Sequence, residues 1–500
     1  MKLTAQQTAF LAALMSGTSN LALRARAGCG KTSTIMAGVA QEVKRNPRIE
    51  IGVVCFGAAI KDEIEGKIKK AGIDWKCAQA MTTHSMGFGL CKYAFGLTRD
   101  SVDDKKVMNI INDLQHEDSA FEQYAPQIAK LVGLAKGDGF GFFGDKQIGD
   151  VRAWYALADH YDVNGFDDTT DMDEVISAAQ KVYRASLQDT KTVDFGDMVL
   201  FPLVKNLRVR YQKDLIFVDE AQDTSPARQA LIRKFMKPRT GRIVLVGDDR
   251  QAIMGFSGAD VDALPNMIRD FNASVFPLSV TWRCPKAVVA EAQRLVPDIE
   301  AAETAIDGAV TRVSKLPDDL KVGDAILCRN TAPLISIAYK IIRSGRVAKV
   351  EGRSIGEGLE QLAKRWKVKT IDALLNRLSA YEDREVQKAL AKGNDSKVEE
   401  VEDRVATLKE IIAACIESGR TDAAAVGEFI RTLFADGAEN AIILATYHRS
   451  KGREWDRVIL FEHAERCPSK AAKQDWQLQQ EDNLAYVAIT RAMKELVYVG

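Results

Sequence analysis

The chain has 500 residues, 46% of them hydrophobic and 28% charged, a composition typical of a globular protein with about three or four domains. Its 69 Lys and Arg residues balance 69 Asp and Glu residues, and this net charge of zero excludes binding of nucleic acid or anionic membrane by bulk positive charge. Eight scattered cysteines without a CxxC pair, and only five histidines, argue against a disulfide framework and a zinc site. The N-terminal segment MKLTAQQTAF has no signal core and no apolar run reaches about 18 residues, so we expect a cytoplasmic protein without a membrane segment.

Short β-branched runs alternate with helical stretches along the chain. Continuous apolar strands that alternate with helices predict parallel sheets covered on both faces, hence an α/β fold. Two sets of such strands predict two α/β cores. The candidate strands are residues 21–24, 51–56, 81–83, 215–218 and 243–246 in the first set, and 325–328, 347–350, 441–446, 458–461 and 496–499 in the second.

Two stretches without a convincing strand interrupt these sets. Residues 91–185 are helix-prone and carry ten basic against 17 acidic residues, and residues 361–437 are also helical in pattern. We interpret them as helical insertions, one in each core. The first core is then 1–90 with 186–274, and the second is 275–360 with 438–500. An apolar stripe from Val398 to Cys415 favours internal packing, with a coiled-coil partner site as the alternative.

The segment LALRARAGCGKTSTIMAGV predicts a strand, a glycine-containing turn and a helix. This order is typical of a phosphate-binding loop, because Gly28 and Gly30 let backbone N–H groups point at a phosphate and the helix N-terminus adds its dipole. Lys31 supplies a point charge to the β- and γ-phosphates, and the Thr32 hydroxyl can ligate Mg²⁺. The predicted phosphate-binding residues are Ala27, Gly28, Cys29, Gly30, Lys31, Thr32 and Ser33.

A pair of acidic residues follows the candidate strand 215–218. Asp219 and Glu220 lie in the string FVDEAQDTSP. Because the carboxyl ends of parallel strands share one edge of a sheet, we expect both side chains beside the phosphate loop. Asp219 is predicted to hold Mg²⁺, with Thr32, and Glu220 to polarise the attacking water.

Further motifs follow in a fixed order: VDEAQDTSPARQ, VGDDRQAIMGFSGAD, TYHRSKGREWD and YVAITRA. Together with the phosphate loop they resemble the signature motifs of UvrD/Rep/PcrA-type superfamily 1 DNA helicases, from Gln7 to Arg491. The resemblance implies two RecA-like P-loop domains with parallel sheets, each carrying a helical insertion, and it implies ATP and Mg²⁺ as cofactors.

In the first core, the resemblance implies two further nucleotide contacts. Gln7 in LTAQQ is similar to the glutamine that reads the adenine edge, and Gln251 in GDDRQ to the glutamine that senses the γ-phosphate. Ser33 departs from the family, many of whose members carry an arginine there.

In the second core, the resemblance assigns four residues to the nucleotide. Arg283 in TWRCP and Arg491 in AITRA match the arginines that reach the γ-phosphate. Glu454 in KGREW matches a glutamate near the ribose and γ-phosphate, and Trp282 the aromatic residue that stacks on the adenine. Arginines on a second domain make hydrolysis depend on domain closure, which suits a motor. Surface salt bridges are the alternative for both arginines.

The DNA contacts also follow from the resemblance. They comprise two aromatic residues that stack on bases and four residues near the DNA backbone: Phe56, Phe256, Thr83, His84, Thr446 and His448. A core position is the alternative for Phe56 and for Phe256, although the Gly-bounded turn around Phe256 favours the DNA contact. A helix-capping role is the alternative for the two histidines. Met254 departs from the tyrosine usual at its position in motif III.

We therefore predict an ATP- and Mg²⁺-dependent translocase on single-stranded DNA and a DNA helicase, with the 3′–5′ polarity that the resemblance implies. Its expected partners are single-stranded DNA, junctions of single and double strands, and single-strand-binding or recombination proteins. We expect a monomer in the cytoplasm of a bacterial or phage-infected cell, near the nucleoid, with no nuclease domain beyond Gly500. Two alternatives stay open, namely a translocase that strips proteins from DNA with little unwinding and a DNA-binding scaffold switched by ATP. The pathway, whether replication, repair, recombination, plasmid or phage propagation, or defence, also stays open.

Overall fold

The computed structural model divides the chain into two compact units. It describes residues 3–161, 163, 171–255, 262–390, 395–420, 422–434 and 440–500. The first unit contains the described residues up to Ser279 and the second those from Val280 onward. No helix among the described residues is long and apolar enough to cross a membrane.

The first unit is built on a six-stranded sheet in the order β3-β2-β4-β5-β1-β6, and each neighbouring pair is parallel. Its four-residue strand β4 is buried throughout, as expected for a strand covered on both faces. The strands are β1 (Leu21–Ala25), β2 (Ile51–Cys55), β3 (Ala78–Thr82), β4 (Leu215–Val218), β5 (Arg242–Gly247) and β6 (Ser274–Leu278).

Helices cover both faces of this sheet and also form a separate cluster between β3 and β4. They are α1 (Ala5–Ser16), α2 (Lys31–Arg45), α3 (Ala58–Lys70), α4 (Thr83–Phe95), α5 (Lys106–Leu114), α6 (Ala120–Gln123), α7 (Ala125–Asp138), α8 (Val151–His160), α9 (Met172–Gln188), α10 (Phe195–Val204), α11 (Pro226–Lys234) and α12 (Ala263–Asp270). Helices α5 to α9 pack around their own apolar core, which includes Phe121, Trp154 and Tyr183.

Close packing of α4 on α10 requires a glycine. A Cβ atom at Gly87 would lie 1.7 Å from the backbone oxygen of Met198, so no larger residue fits there without moving the helices. Helix α10 begins at a capping box in which Asp194 and Asp197 satisfy each other's backbone N–H groups. These contacts fix α4, and with it the residues that follow β3.

The second unit contains another six-stranded sheet, in the order β11-β12-β10-β13-β14-β9, again with parallel neighbours. Two short strands, β7 (Val280–Thr281) and β8 (Glu300–Ala301), pair apart from it. The strands of the sheet are β9 (Ala309–Val313), β10 (Ala325–Cys328), β11 (Ala348–Val350), β12 (Ile442–Thr446), β13 (Trp455–Phe461) and β14 (Ala492–Val499).

A run of helices between β11 and β12 interrupts this second sheet. The helices of the unit are α13 (Lys286–Ala292), α14 (Ala332–Arg343), α15 (Arg353–Lys364), α16 (Ile371–Leu390), α17 (Asp395–Glu417), α18 (Ala423–Leu433), α19 (Tyr447–Ser450), α20 (His463–Arg466) and α21 (Asp475–Ile489). The apolar stripe of α17 is buried at Val401, Val405 and Leu408, so it packs within the unit.

The predicted α/β class, with two parallel-sheet cores that each carry a helical insertion, is confirmed. Two edge strands were missing from the prediction, β6 and β9. Because β6 pairs with β1, the first unit continues to Ser279, past the predicted end of the first core at residue 274. The helices of the second interruption begin at Arg353, earlier than the predicted 361.

Candidate functional site

The phosphate loop lies where β1 ends and α2 begins. Gly28 and Gly30 have φ angles of 71° and 79°, in the left-handed region that favours glycine. Gly30 is the N-cap of α2, and among the described residues no side chain caps this helix. The first N–H groups of α2 and the positive end of its dipole therefore suit a phosphate. Thr32 is half-buried at this end, and Ser33 is exposed.

Lys31, at the first position of α2, contacts the acidic pair. Its Nζ atom lies 2.7 Å from Oε1 of Glu220. Burial alone would lower the pKa of Lys31, but the negative charges of Glu220 and Asp219 raise it above its ordinary value. Asp219 is buried, and burial together with the Glu220 charge raises the pKa of Asp219 to about 6. The backbone at Glu220 has a φ of 51°, which is unusual for a residue with a side chain.

Buried polar contacts join the phosphate loop to the ends of β4 and β5. Arg26, inside the loop, donates from NH1 to Asp248 and to Asp249, at 2.9 Å in each case. Gln251 donates to Asp248 Oδ2 at 2.7 Å, and the Asp248 N–H donates to Gln222 at 3.1 Å. Sequence reasoning missed Arg26, whose only signal was its position inside the loop.

Gln7 lies beside the same loop and is buried. Its side chain forms a capping box with Thr4 that begins α1, and its Nε2 atom donates to Thr34 of α2 at 2.9 Å. A Cβ atom at Gly30 would lie 3.4 Å from the same Nε2 atom. The structure thus places Gln7 against the phosphate loop with its amide already hydrogen bonded.

In the second unit, the structure brings Arg283 and Glu454 together. Arg283 Nε donates to Glu454 Oε2 at 2.6 Å. Trp282, the neighbouring residue, is exposed, so its ring is accessible to a planar ligand. Arg491 is 1% exposed, and its guanidinium donates to backbone oxygens of Val487 and Arg453, at 2.8 and 3.2 Å. The surface salt-bridge alternative is therefore wrong for Arg491.

A cavity of about 460 Å³ in the first unit collects two of the predicted DNA contacts, Phe56 and His84. We call it the aromatic groove. The Phe56 side chain is 42% exposed, so the core alternative is wrong for this residue. Arg228 lies over the Phe56 ring, 5.4 Å from its centroid, and its NH2 atom is 3.4 Å from Nε2 of His84. Burial, and then the Arg228 charge, lower the pKa of His84 to about 4.

Sequence reasoning missed several residues of the aromatic groove. Phe195 is exposed and meets the His84 ring edge-on at a centroid distance of 5.4 Å. Arg228 lies in the quoted motif VDEAQDTSPARQ, but nothing in the pattern distinguished it from its neighbours. Lys130 and Lys136 also line the cavity, together with Met254, already identified from the sequence as a departure in motif III.

The other predicted DNA contacts are distributed differently. Thr83 and Thr446 are both buried, so their side chains offer little surface to a strand. His448 is half-buried in the second unit, where burial, and then Arg329 and Arg449, lower its pKa to about 3. Phe256 lies outside the described residues.

The fold and these contacts define the class of the protein. Its phosphate loop directly follows strand β1 of the first unit, and its acidic pair directly follows β4 of the same sheet. A second parallel sheet is formed by residues further along the chain. These are the features of a P-loop protein with two parallel-sheet cores.

The family follows from comparison with known proteins. A model described as the UvrD/REP helicase N-terminal domain matches residues 3–272, which is more than half of the chain. The chain therefore belongs to this family, and the resemblance found in its motifs is confirmed.

Individual relatives match over shorter stretches. The chain is 26% identical over 217 residues to an ATP-dependent DNA helicase PcrA of Leuconostoc citreum, which covers 42% of this chain and 26% of the relative. It is 26% identical over 284 residues to the ATP-dependent DNA helicase SRS2 of Saccharomyces cerevisiae, covering 52% and 23%. It is 31% identical over 130 residues to DNA helicase II of Escherichia coli, covering 23% and 18%. The matched stretches thus span about a quarter or less of these relatives.

Proposed function

We propose that the protein is an ATP- and Mg²⁺-dependent translocase on single-stranded DNA that moves 3′ to 5′ and unwinds duplexes. One observation carries this proposal. Asp223, shortly after Glu220, and Met254, shortly after Gln251, both line the aromatic groove. The chain segments that follow Glu220 and Gln251 thus lead from the phosphate site to the lining of the aromatic groove. Hydrolysis or release of the nucleotide can therefore shift the residues that line the groove.

The residues of the first unit fit a nucleotide with a divalent cation. Uncapped N–H groups of α2 and the Lys31 ammonium suit the phosphates. The Thr32 hydroxyl and the Asp219 carboxylate are oxygen ligands of the kind that Mg²⁺ prefers, and a bound cation would stabilise the charged form of Asp219. Bound Mg²⁺ would neutralise charge on the phosphates, and Glu220 would orient the attacking water.

The aromatic groove suits single-stranded DNA. Exposed rings such as Phe56 and Phe195 offer faces on which bases of any sequence can stack, and Arg228 adds a positive charge beside them. We also propose that Arg283, Arg491, Glu454 and Trp282 contact the nucleotide and that His448 contacts DNA, as the family resemblance implies. The helical segments 91–185 and 361–437 are proposed to act as separate subdomains.

DNA-stimulated ATP hydrolysis tests this proposal. Lys31→Ala is expected to reduce hydrolysis to background with and without single-stranded DNA. Lys44→Ala, which removes an exposed lysine from the last turn of the same helix, is the matched control and should hydrolyse ATP as the wild type does. Failure of single-stranded DNA to stimulate the wild-type protein would overturn the motor and leave the ATP-switched scaffold.

A translocase that strips proteins from DNA differs from a helicase in what its movement displaces, a bound protein and not a DNA strand. DNA-stimulated hydrolysis without strand displacement from a 3′-tailed fork would favour stripping. The same preparation should then displace a protein bound to single-stranded DNA.

A further inference from the structure

A second concave surface lies on the first unit, on the other side of α4 from His84. It is a cavity of about 420 Å³ that we call the basic pocket. Its lining includes apolar side chains of β3, α4, the segment before β4 and the end of α11, among them Met81, Met86, Leu90, Val209 and Phe235. Three cations, Arg208, Arg210 and Lys213, also line it, and none of its lining residues is acidic.

Lys213 differs from the other two cations because its side chain is almost completely buried. The residue is only 6% exposed. Within the described part of the chain its ammonium makes one hydrogen bond, to Oε1 of Gln79 at 3.2 Å, and no ion pair. A neutral amide does not compensate a buried positive charge, and burial lowers the pKa of Lys213.

Two acidic residues outside the pocket lining, Glu50 and Asp214, oppose by their charge the lowering of the Lys213 pKa that burial causes, but both are already paired with another lysine. Glu50 and Asp214 each form an ion pair with Lys237, at 2.9 Å. The Lys213 ammonium therefore lacks a carboxylate, although the pocket offers space for one.

The rim of the basic pocket is aromatic and exposed. Tyr93 and Tyr211 are both largely exposed, and Arg210 stacks 3.8 Å above the centroid of the Tyr93 ring. This arginine occupies one face of the Tyr93 ring. The rest of the lining is mainly apolar and the surface is concave, which suits an apolar side chain better than a sugar–phosphate backbone.

We propose that the basic pocket is a docking site for an acidic peptide of a partner protein, which places a carboxylate on Lys213 and an adjacent apolar side chain on Met86 and Leu90. Arg208 and Arg210 at the rim hold further carboxylates of the same peptide. Charge complementarity decides between occupants, because a cationic rim without acidic residues attracts an acidic peptide and repels a basic one. The pocket shares no lining residue with the aromatic groove, so this proposal stands apart from the proposed motor activity.

Fluorescence anisotropy of a labelled peptide tests the proposal without ATP or DNA. The probe is a short peptide of alternating Asp and Leu, compared with peptides of alternating Asn and Leu and of alternating Lys and Leu. The Asp-Leu peptide is expected to bind and the other two are not. Lys213→Met should weaken binding about tenfold or more, since it removes a charge-assisted hydrogen bond.

Two glycines provide a matched pair of variants. Gly89 lines the pocket on α4 and Gly66 lies on α3, and a Cβ atom at either position would meet open space. Gly89→Glu places a negative charge in the pocket and should abolish peptide binding, whereas Gly66→Glu should leave it unchanged. Both variants should keep the circular dichroism spectrum of the wild type, which reports that they are folded.

Three results would overturn the proposal. They are equal binding of the Asp-Leu and Asn-Leu peptides, undiminished binding to folded Gly89→Glu, and displacement of the peptide by a short oligothymidylate. The last result would assign the basic pocket to nucleic acid. If single-stranded DNA does not stimulate ATP hydrolysis by the wild-type protein, the proposed motor is contradicted, but the peptide-binding result is unaffected.

Discussion

At the residue scale, Arg228 explains how the aromatic groove is organised. It approaches both Phe56 and His84, and it lies on α11, the helix that follows the acidic pair. The sequence around Phe56 was compatible with a core position and with a surface position for its side chain, because the residue directly follows a fully buried strand. Only the end of β2 at Cys55 places the ring at the carboxyl edge of the sheet, where it is exposed.

Removal of the Phe56 ring is expected to weaken binding of single-stranded DNA. One stacked base contributes about 1–3 kcal/mol, so Phe56→Ala should raise the Kd for oligothymidylate about fivefold to a hundredfold. Trp75→Ala is the control, since Trp75 is 67% exposed but precedes β3, at the opposite edge of the sheet. Equal affinities of wild type and Phe56→Ala, measured by anisotropy, would remove Phe56 from the DNA site.

His84 is expected to stay neutral throughout the physiological pH range. Its pKa is lowered to about 4, so it carries no charge at pH 6 to 8, and in the proposed DNA site it is expected to act only as a hydrogen-bonding group. Because the folded pKa lies below the ordinary 6.5, folding favours the neutral form, and stability is lost as pH falls from 6.5 towards 4.

An NMR titration of the histidine rings measures this directly. The signals of His84 and His448 should both show no titration between pH 5.5 and 8, and one of these two silent signals should be missing in His84→Gln. A His84 signal that titrates near pH 6.5 would contradict the burial seen here.

At the element scale, a buried cluster of charges attaches the first helical insertion to the core. Lys106 of α5 and Lys136 of α7 both contact Asp197 of α10, at 2.8 and 2.7 Å, and Lys136 also contacts Asp194 at 2.5 Å. The Lys106 ammonium donates in addition to three backbone oxygens. The two lysines and two aspartates are thus paired with little exposure to water, so removal of one of them leaves a buried charge incompletely paired.

Breaking this cluster should destabilise the protein strongly. Asp197→Asn leaves the two buried lysines with Asp194 and the partly exposed Asp189, which lies 3.6 Å from Lys106, and the expected cost is about 3–5 kcal/mol of the free energy of unfolding. Glu63→Gln breaks an exposed helical pair with Lys67 and should cost less than about 0.5 kcal/mol. Urea unfolding followed by circular dichroism measures both, and equal midpoints for the two variants would show that the cluster does not stabilise the fold.

The elements differ in how far the sequence predicts them. The predicted strands 215–218 and 325–328 coincide with β4 and β10, because both are fully buried and therefore continuously apolar. The edge strands β6 and β9 escaped prediction, since most of their residues are exposed or half-buried, and β6 also contains Pro277. The buried charge cluster could not be predicted either, because its four residues come from three helices and read in the sequence as surface charges.

At the scale of the whole molecule, the net charge of zero is compatible with binding at small local sites. A net charge of zero excludes binding by bulk attraction, but it permits local sites that carry positive charge. The structure contains two of them in the first unit, an aromatic groove with one prominent arginine and a basic pocket without acidic residues. A motor that must release its strand in every cycle benefits from few phosphate contacts, because each contact adds affinity and salt dependence.

The directed movement of this motor is the central claim, and unwinding of tailed duplexes tests it most directly. Strand displacement is compared on duplexes with a 3′ tail and with a 5′ tail of equal length, in the presence of ATP and Mg²⁺. The account predicts displacement from the 3′-tailed duplex only, and none with Lys31→Ala. Equal displacement from both duplexes, or a preference for the 5′ tail, would contradict it.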